Sequence, residues 1–77
     1  MLKVKEVKPL TGYKLWLSFS DGENGTVNIE PFLDKGISLK LLQEDYFSKV
    51  FIDQFGGICW ENGFDFSPKT LKNLLEQ

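Results

Sequence analysis

Tyr13, Leu15, Leu17 and Phe19 alternate with Lys14, Trp16 and Ser18, and no other feature of the chain constrains its fold as strongly. Successive side chains of an extended strand point to opposite faces, so the four large residues share one face. Turn residues close both ends. Thr11 and Gly12 precede the run, and Ser20, Asp21 and Gly22 follow it. Gly accepts a positive φ, and Asp bonds its own backbone. A weaker extended stretch, Val4 to Lys8, lies before the run, with Pro9 limiting its pairing at the end. Another follows around Thr26, Val27, Asn28 and Ile29. These segments predict an antiparallel three-stranded meander.

Pro31 ends the third strand, Phe32 and Leu33 plug an irregular turn, and Asp34, Lys35 and Gly36 break the chain again. Ile37 to Val50 fits two patterns. Leu42, Tyr46, Phe47 and Val50 have helical spacing, whereas Ile37, Leu39 and Leu41 suit a strand. The expectation is a short extended piece and then a short helix of two turns near Gln43 to Lys49. Val50 to Asp53 reads as a strand, Gly56 and Gly57 as a hairpin turn, and Ile58 to Glu61 as the return strand. Asn62 and Gly63 turn the chain once more. Ser67 as N-cap and Pro68 at the first helical position open a C-terminal helix. Leu71, Leu74 and Leu75 form its buried stripe, and Lys69, Lys72 and Glu76 face water. The whole, residues 1–77, is expected to be one small α+β domain: meander, short helix, β-hairpin, C-terminal helix.

A chain of 77 residues has little interior to work with. Such a domain buries only about 60% of the surface its unfolded chain exposes. Here 14% of the residues are aromatic, with Phe 7 and Trp 2, and large rings can fill a core that small side chains could not.

The chemistry available is narrow. The sequence has no His and no Arg. The first absence removes the commonest acid–base group and metal ligand, and the second the planar fork that grips phosphates. The nine basic residues are lysines spread along the chain, and the net charge is -2. Direct nucleic-acid binding is therefore not expected. Cys59 is the only cysteine, so neither a structural zinc site nor an intramolecular disulfide is expected, and no cofactor is implied. Met1 to Lys5 carries no apolar run of signal-peptide length, and no stretch has the roughly 20 apolar residues of a membrane span. A soluble, cytoplasmic protein without a membrane partner is the expectation.

Asp21, Glu23, Asp53, Glu61 and Asp65 lie near turns or strand ends. They read as solvated turn residues, since acid–base work or cation binding needs burial that loops rarely give. Gly56 and Gly57 lack the strand–helix context of a phosphate loop. Cys59 reads as a small strand residue and not as a nucleophile. Trp16 falls opposite the Tyr13–Phe19 face. It either points outward as an interaction surface or is covered by the helices. The segment Trp60–Asp65 is either a recognition loop or a structural corner in which Asp65 caps backbone amides and Phe64 anchors the chain. The candidate interaction residues are accordingly Trp16, Trp60, Asn62 and Asp65.

Three blocks give the chain a resemblance: Tyr13, Leu15, Leu17 and Phe19 with Asp21 and Gly22; then Phe47, Val50, Ile52 and Asp53; then Trp60, Asn62, Gly63, Asp65 and Pro68. In this order they resemble the bacterial domain of unknown function 2442 family over nearly the whole chain, and the last block is the most distinctive. Glu61 and Phe64 depart from the smaller or less charged residues the resemblance leads one to expect. The resemblance implies a small bacterial α+β domain. Some relatives carry it ahead of a helix-turn-helix, for which these 77 residues leave no room. Others are encoded beside a second small protein, in a layout like a toxin–antitoxin pair. No catalytic activity or catalytic residue comes with the family.

Aromatic richness without catalytic side chains points to a non-enzymatic protein-interaction module. It would bind a partner or itself through an exposed strand edge or the Trp16 and Trp60 surface. One alternative is an antitoxin-like or transcription-linked regulatory subunit acting with a neighbouring small protein. Another is a small-ligand-binding domain using Asp53, Asn62 and Asp65.

Overall fold

The computed structural model describes residues 1–75. Strands β1 (Val4–Leu10), β2 (Lys14–Phe19) and β3 (Asn24–Asn28) form an antiparallel sheet in that order. A 3-10 turn at Glu30–Phe32, a 3-10 helix at Gly36–Leu42 and helix α1 (Glu44–Phe47) follow. Strands β4 (Phe51–Ile52), β5 (Ile58–Cys59) and β6 (Asp65–Phe66) make a second antiparallel sheet, and helix α2 (Pro68–Leu74) closes the chain. The architecture is α+β. Among the described residues no helix is long and apolar enough to cross a membrane.

The period-two run forms β2 as expected, with Leu15, Leu17 and Phe19 buried and Lys14, Trp16 and Ser18 half-buried. Strand β1 runs past Lys8, and Pro9 lies opposite Leu15 in the register. An edge strand tolerates the missing N–H. A register shift between Val4 and Glu6 returns Val4 to the core side beside Phe19. At the bend, the Val4 N–H donates to the Gly56 carbonyl at 2.7 Å and joins the two sheets.

The segment after Gly36 is not extended. It is a 3-10 helix whose Ser38 and Leu41 are buried while Ile37, Leu39 and Leu42 stay exposed. In that helix residues three apart eclipse each other, so Ser38 and Leu41 share one stripe and Leu39 and Leu42 another. Helix α1 has one turn instead of two. The return strand ends at Cys59, and β6 adds a third strand beyond the expected hairpin, with Ile58 opposite Phe66 and Cys59 opposite Asp65.

The C-terminal helix starts as read. The Ser67 hydroxyl accepts from the Thr70 N–H at 3.2 Å, and Pro68 occupies the first turn. Leu71 is buried, and Leu74 and Leu75 pack against the core. Lys72, expected in water, instead leans over the Phe19 ring at 4.8 Å and pairs with Asp21 and Glu23. Glu76 lies outside the described residues.

The core is Val4, the inner faces of β2 and β3, Ile29, Leu33, Leu41, Phe47, Ile58, Trp60, Phe66 and Leu71. Trp60 sits among Phe47, Phe64 and Phe66, with ring centroids 5.7, 5.9 and 6.4 Å away. Such offset and edge-on contacts each add about 0.5–1.5 kcal/mol beyond area burial.

Candidate interaction surfaces

Trp60 is 1% exposed, so a partner cannot reach its ring in the folded chain. Its neighbours make a built corner. The Trp60 N–H donates to the Phe64 carbonyl at 2.9 Å, and the Gly63 N–H to the Trp60 carbonyl at 2.9 Å. Gly63 has φ +94, a conformation glycine adopts without a steric penalty. The Asn62 side chain works in both directions: its carbonyl oxygen accepts from the Phe64 N–H at 3.1 Å, and its amide donates to the Ile37 carbonyl at 2.9 Å. The Asn62 backbone N–H donates to the Tyr46 hydroxyl at 2.9 Å. Asn62 therefore ties the corner to the 3-10 helix and to α1.

Asp65 does not cap backbone amides. Among the described residues its carboxylate accepts no hydrogen bond, because it stands on the outer side of β6. The capping carboxylate belongs to Asp53. Its Oδ1 accepts from the Phe55 N–H at 2.8 Å and the Gly57 N–H at 3.1 Å, fixing the β4–β5 loop. Asp53 and Asp65 come together in a cleft of about 230 Å³ beside Phe55, Gly57, Phe66 and Pro68. Asn62 faces a different depression, shared with Lys40, Gln43, Asp45, Tyr46 and Glu61. The three groups expected to form one ligand site thus belong to two places.

Trp16 is half-buried on the outer face of the first sheet, and the Lys8 ammonium lies 5.2 Å from its ring centroid. Cross-strand neighbours Lys8 and Thr26 flank it, with the Lys8–Glu6 ion pair alongside at 3.4 Å. Helix α2 packs on the opposite face: Leu75 comes within 3.2 Å of where a Cβ on Gly25 would stand, and Gly25 is paired with the inward Leu17. Among the described residues this contact of the C-terminal helix thus lies on the face opposite Trp16.

The exposed apolar residues that sequence reading passed over lie elsewhere. Ile37 is 55%, Leu39 48% and Leu42 41% exposed on the 3-10 helix. That backbone is held at both ends, by Asn62 at Ile37 and by the Tyr13 hydroxyl, which donates to the Leu42 carbonyl. Tyr13 and the exposed Leu10 line a neighbouring cleft of about 180 Å³ with Pro9 and Phe47. The signal in the sequence is a period of three, Leu39 and Leu42 on one short helix, which matches neither period two nor period 3.6. Phe55, 71% exposed, tops the Asp53-capped loop, and Phe51 is 48% exposed.

The electrostatics are those of a surface. The Lys72 ammonium, with help from the Glu23 N–H, holds the Asp21 carboxyl below its usual range, and Asp21 and Glu23 in turn raise Lys72. Burial pushes the Cys59 thiol up, and the charges of Asp53 and Asp65 push it further. A thiol kept protonated is a poor nucleophile. Among the described residues no group of three or more His, Cys, Asp or Glu side chains is placed to hold a metal ion.

The family described as "Protein of unknown function (DUF2442)" matches residues 4–76. No curated protein and no solved structure matches the chain.

Proposed function

The chain belongs to the DUF2442 family, and from that premise we propose that it is a non-enzymatic protein-interaction module. One observation carries the reading: Ile37, Leu39 and Leu42 are held out of the core on a 3-10 helix whose backbone is pinned by Asn62 and Tyr13. Exposed apolar side chains on a backbone already held by hydrogen bonds leave less backbone freedom to lose on binding, which favours their use as contact residues.

The strand edges support the reading less. The outer edge of β1 carries Pro9 with Lys5 and Lys8, and both features discourage strand addition. Leu75 lies over β3 at Gly25, and β4 and β6 have two residues each. The raised Cys59 pKa and the exposed Asp65 carboxylate fit a role without chemistry.

The test compares the wild-type chain with a Leu39→Glu/Leu42→Glu variant. Both positions are exposed, so the variant is expected to keep its circular-dichroism melt. Wild type is expected to self-associate in sedimentation, or to retain a partner from host extract that the variant releases. A monomeric wild type that retains nothing refutes the reading.

A further inference from the structure

The cleft between Phe55 and Asp65 lies away from the 3-10 helix and shares no lining residue with it. Phe55 is 71% exposed, yet its loop backbone is held by hydrogen bonds. Asp53 Oδ1 holds the Phe55 and Gly57 amides, the Asp53 N–H donates to the Gly57 carbonyl at 2.9 Å, and the Gly56 N–H donates to the Asp53 carbonyl at 3.1 Å. The ring is thus presented on a fixed frame, in the manner of preorganised contact residues. Gly57 lets the Phe66 backbone pass close beside the Asp53 carboxylate. A Cβ there would meet the Phe66 carbonyl oxygen at 2.4 Å and Asp53 Oδ2 at 3.4 Å.

The cleft is about 230 Å³, below the roughly 300–1,000 Å³ of small-molecule sites. It suits one long side chain better than a metabolite. Its walls are apolar at Phe55 and Pro68, the Phe66 ring is turned into the core, and its charge is negative at Asp53 and Asp65. Among the described residues neither carboxylate pairs with a lysine. We infer that this cleft receives an arginine side chain of a protein partner. The stem lies along Pro68, the guanidinium stacks on Phe55, and its N–H groups donate to Asp65 and to the free oxygen of Asp53. Arginine fits better than lysine because a planar guanidinium can stack on a ring and fork onto a carboxylate together. The chain has no arginine of its own, so the partner must supply it.

The probe is an acetylated, amidated pentapeptide Gly-Leu-Arg-Leu-Gly, titrated into the 15N-labelled full chain. The matched control replaces arginine by citrulline, its neutral isostere. The expected result is saturable shifts confined to the amides of residues 53–57, 65–67 and 69. Citrulline, Asp65→Asn and Phe55→Ala are each expected to weaken binding about tenfold. Both variant positions are exposed, and superposable spectra outside the cleft confirm their fold. No saturable shift at these amides, equal binding of the citrulline peptide, or undiminished binding by Asp65→Asn overturns the assignment. The Leu39→Glu/Leu42→Glu variant is expected to bind the peptide as wild type does, so failure here and failure of the interaction reading at the 3-10 helix are told apart.

Discussion

The indole N–H of Trp60 donates a 2.9 Å hydrogen bond to the carbonyl of Phe47, and the two rings lie 5.7 Å apart. Phe47 ends α1, where backbone carbonyls lack a partner within the helix. One buried ring therefore fills the space between the second sheet and the helix, and also satisfies the helix end.

Trp60→Phe keeps most of the ring and loses the donor. It leaves the Phe47 carbonyl only a 3.4 Å contact from the Val50 N–H, and the expected loss is about 1–3 kcal/mol. Trp60→Ala removes the ring as well and should cost about 3–5 kcal/mol. Urea denaturation measures both. An unchanged Trp60→Phe midpoint would show that the hydrogen bond contributes nothing.

The first sheet was legible in the sequence because β2 is long enough for period two to show, and Asp21 and Gly22 mark its turn. The second sheet was only half legible. Two-residue strands carry no period, so β6 at Asp65 and Phe66 leaves no signature, and nothing local decides between a recognition loop and a structural corner at Trp60, the core's largest ring. Lys72 reads as an outward helix residue from local pattern. Only the fold brings it to Asp21, 51 residues earlier. Leu39 fits the strand pattern and Leu42 the helical one, because a 3-10 stripe resembles neither common period. Phe55 gave no local sign of exposure, since its conformation is set by the Asp53 carboxylate two residues before it.

The pairing of Lys72 with Asp21 and Glu23, the latter at 2.6 Å, makes stability depend on pH at both ends. The folded-state pKa of Asp21 is lowered, so its contribution is present above the unfolded value and is lost as pH falls through the folded one. That of Lys72 is raised, so its contribution is full below the unfolded lysine value and is lost as pH rises through the folded one. Asp21→Asn is expected to melt lower than wild type near neutral pH, with the gap closing as carboxylates protonate and narrowing in high salt. A gap that persists in acid would place the effect in packing instead of charge.

Gly57 and Gly63 should fail differently when changed to Ala. Gly57 needs room: the Phe66 carbonyl, 2.4 Å from the new Cβ, is backbone and cannot swing away. Gly57→Ala is expected to cost about 1–3 kcal/mol and to disturb the β5–β6 pairing. Gly63 meets nothing within 4 Å but has φ +94, so Gly63→Ala carries only backbone strain, about 1–2 kcal/mol. Thermal melts rank the two. Amide shifts at Phe66 that change in Gly57→Ala and hold in Gly63→Ala separate the mechanisms.

Asn62 links the stability of the corner to the presentation of the 3-10 helix. Its amide N–H grips the Ile37 carbonyl while its oxygen holds the Phe64 N–H. Asn62→Ala removes both bonds, each worth about 0.5–1.5 kcal/mol. Asn62→Asp keeps the acceptor for Phe64 but sets a carboxylate against the Ile37 carbonyl, so the tie to the 3-10 helix is lost while the corner's own bond remains. Hydrogen exchange reads the difference. Both variants should speed exchange in residues 36–42, and only Asn62→Ala should speed it at Phe64. If the ordered backbone beneath Leu39 and Leu42 matters for docking, both variants should bind a partner more weakly with those side chains untouched, mainly through faster dissociation. Unchanged exchange at 36–42 in Asn62→Asp would mean that Tyr13 and the burial of Leu41 hold the segment unaided.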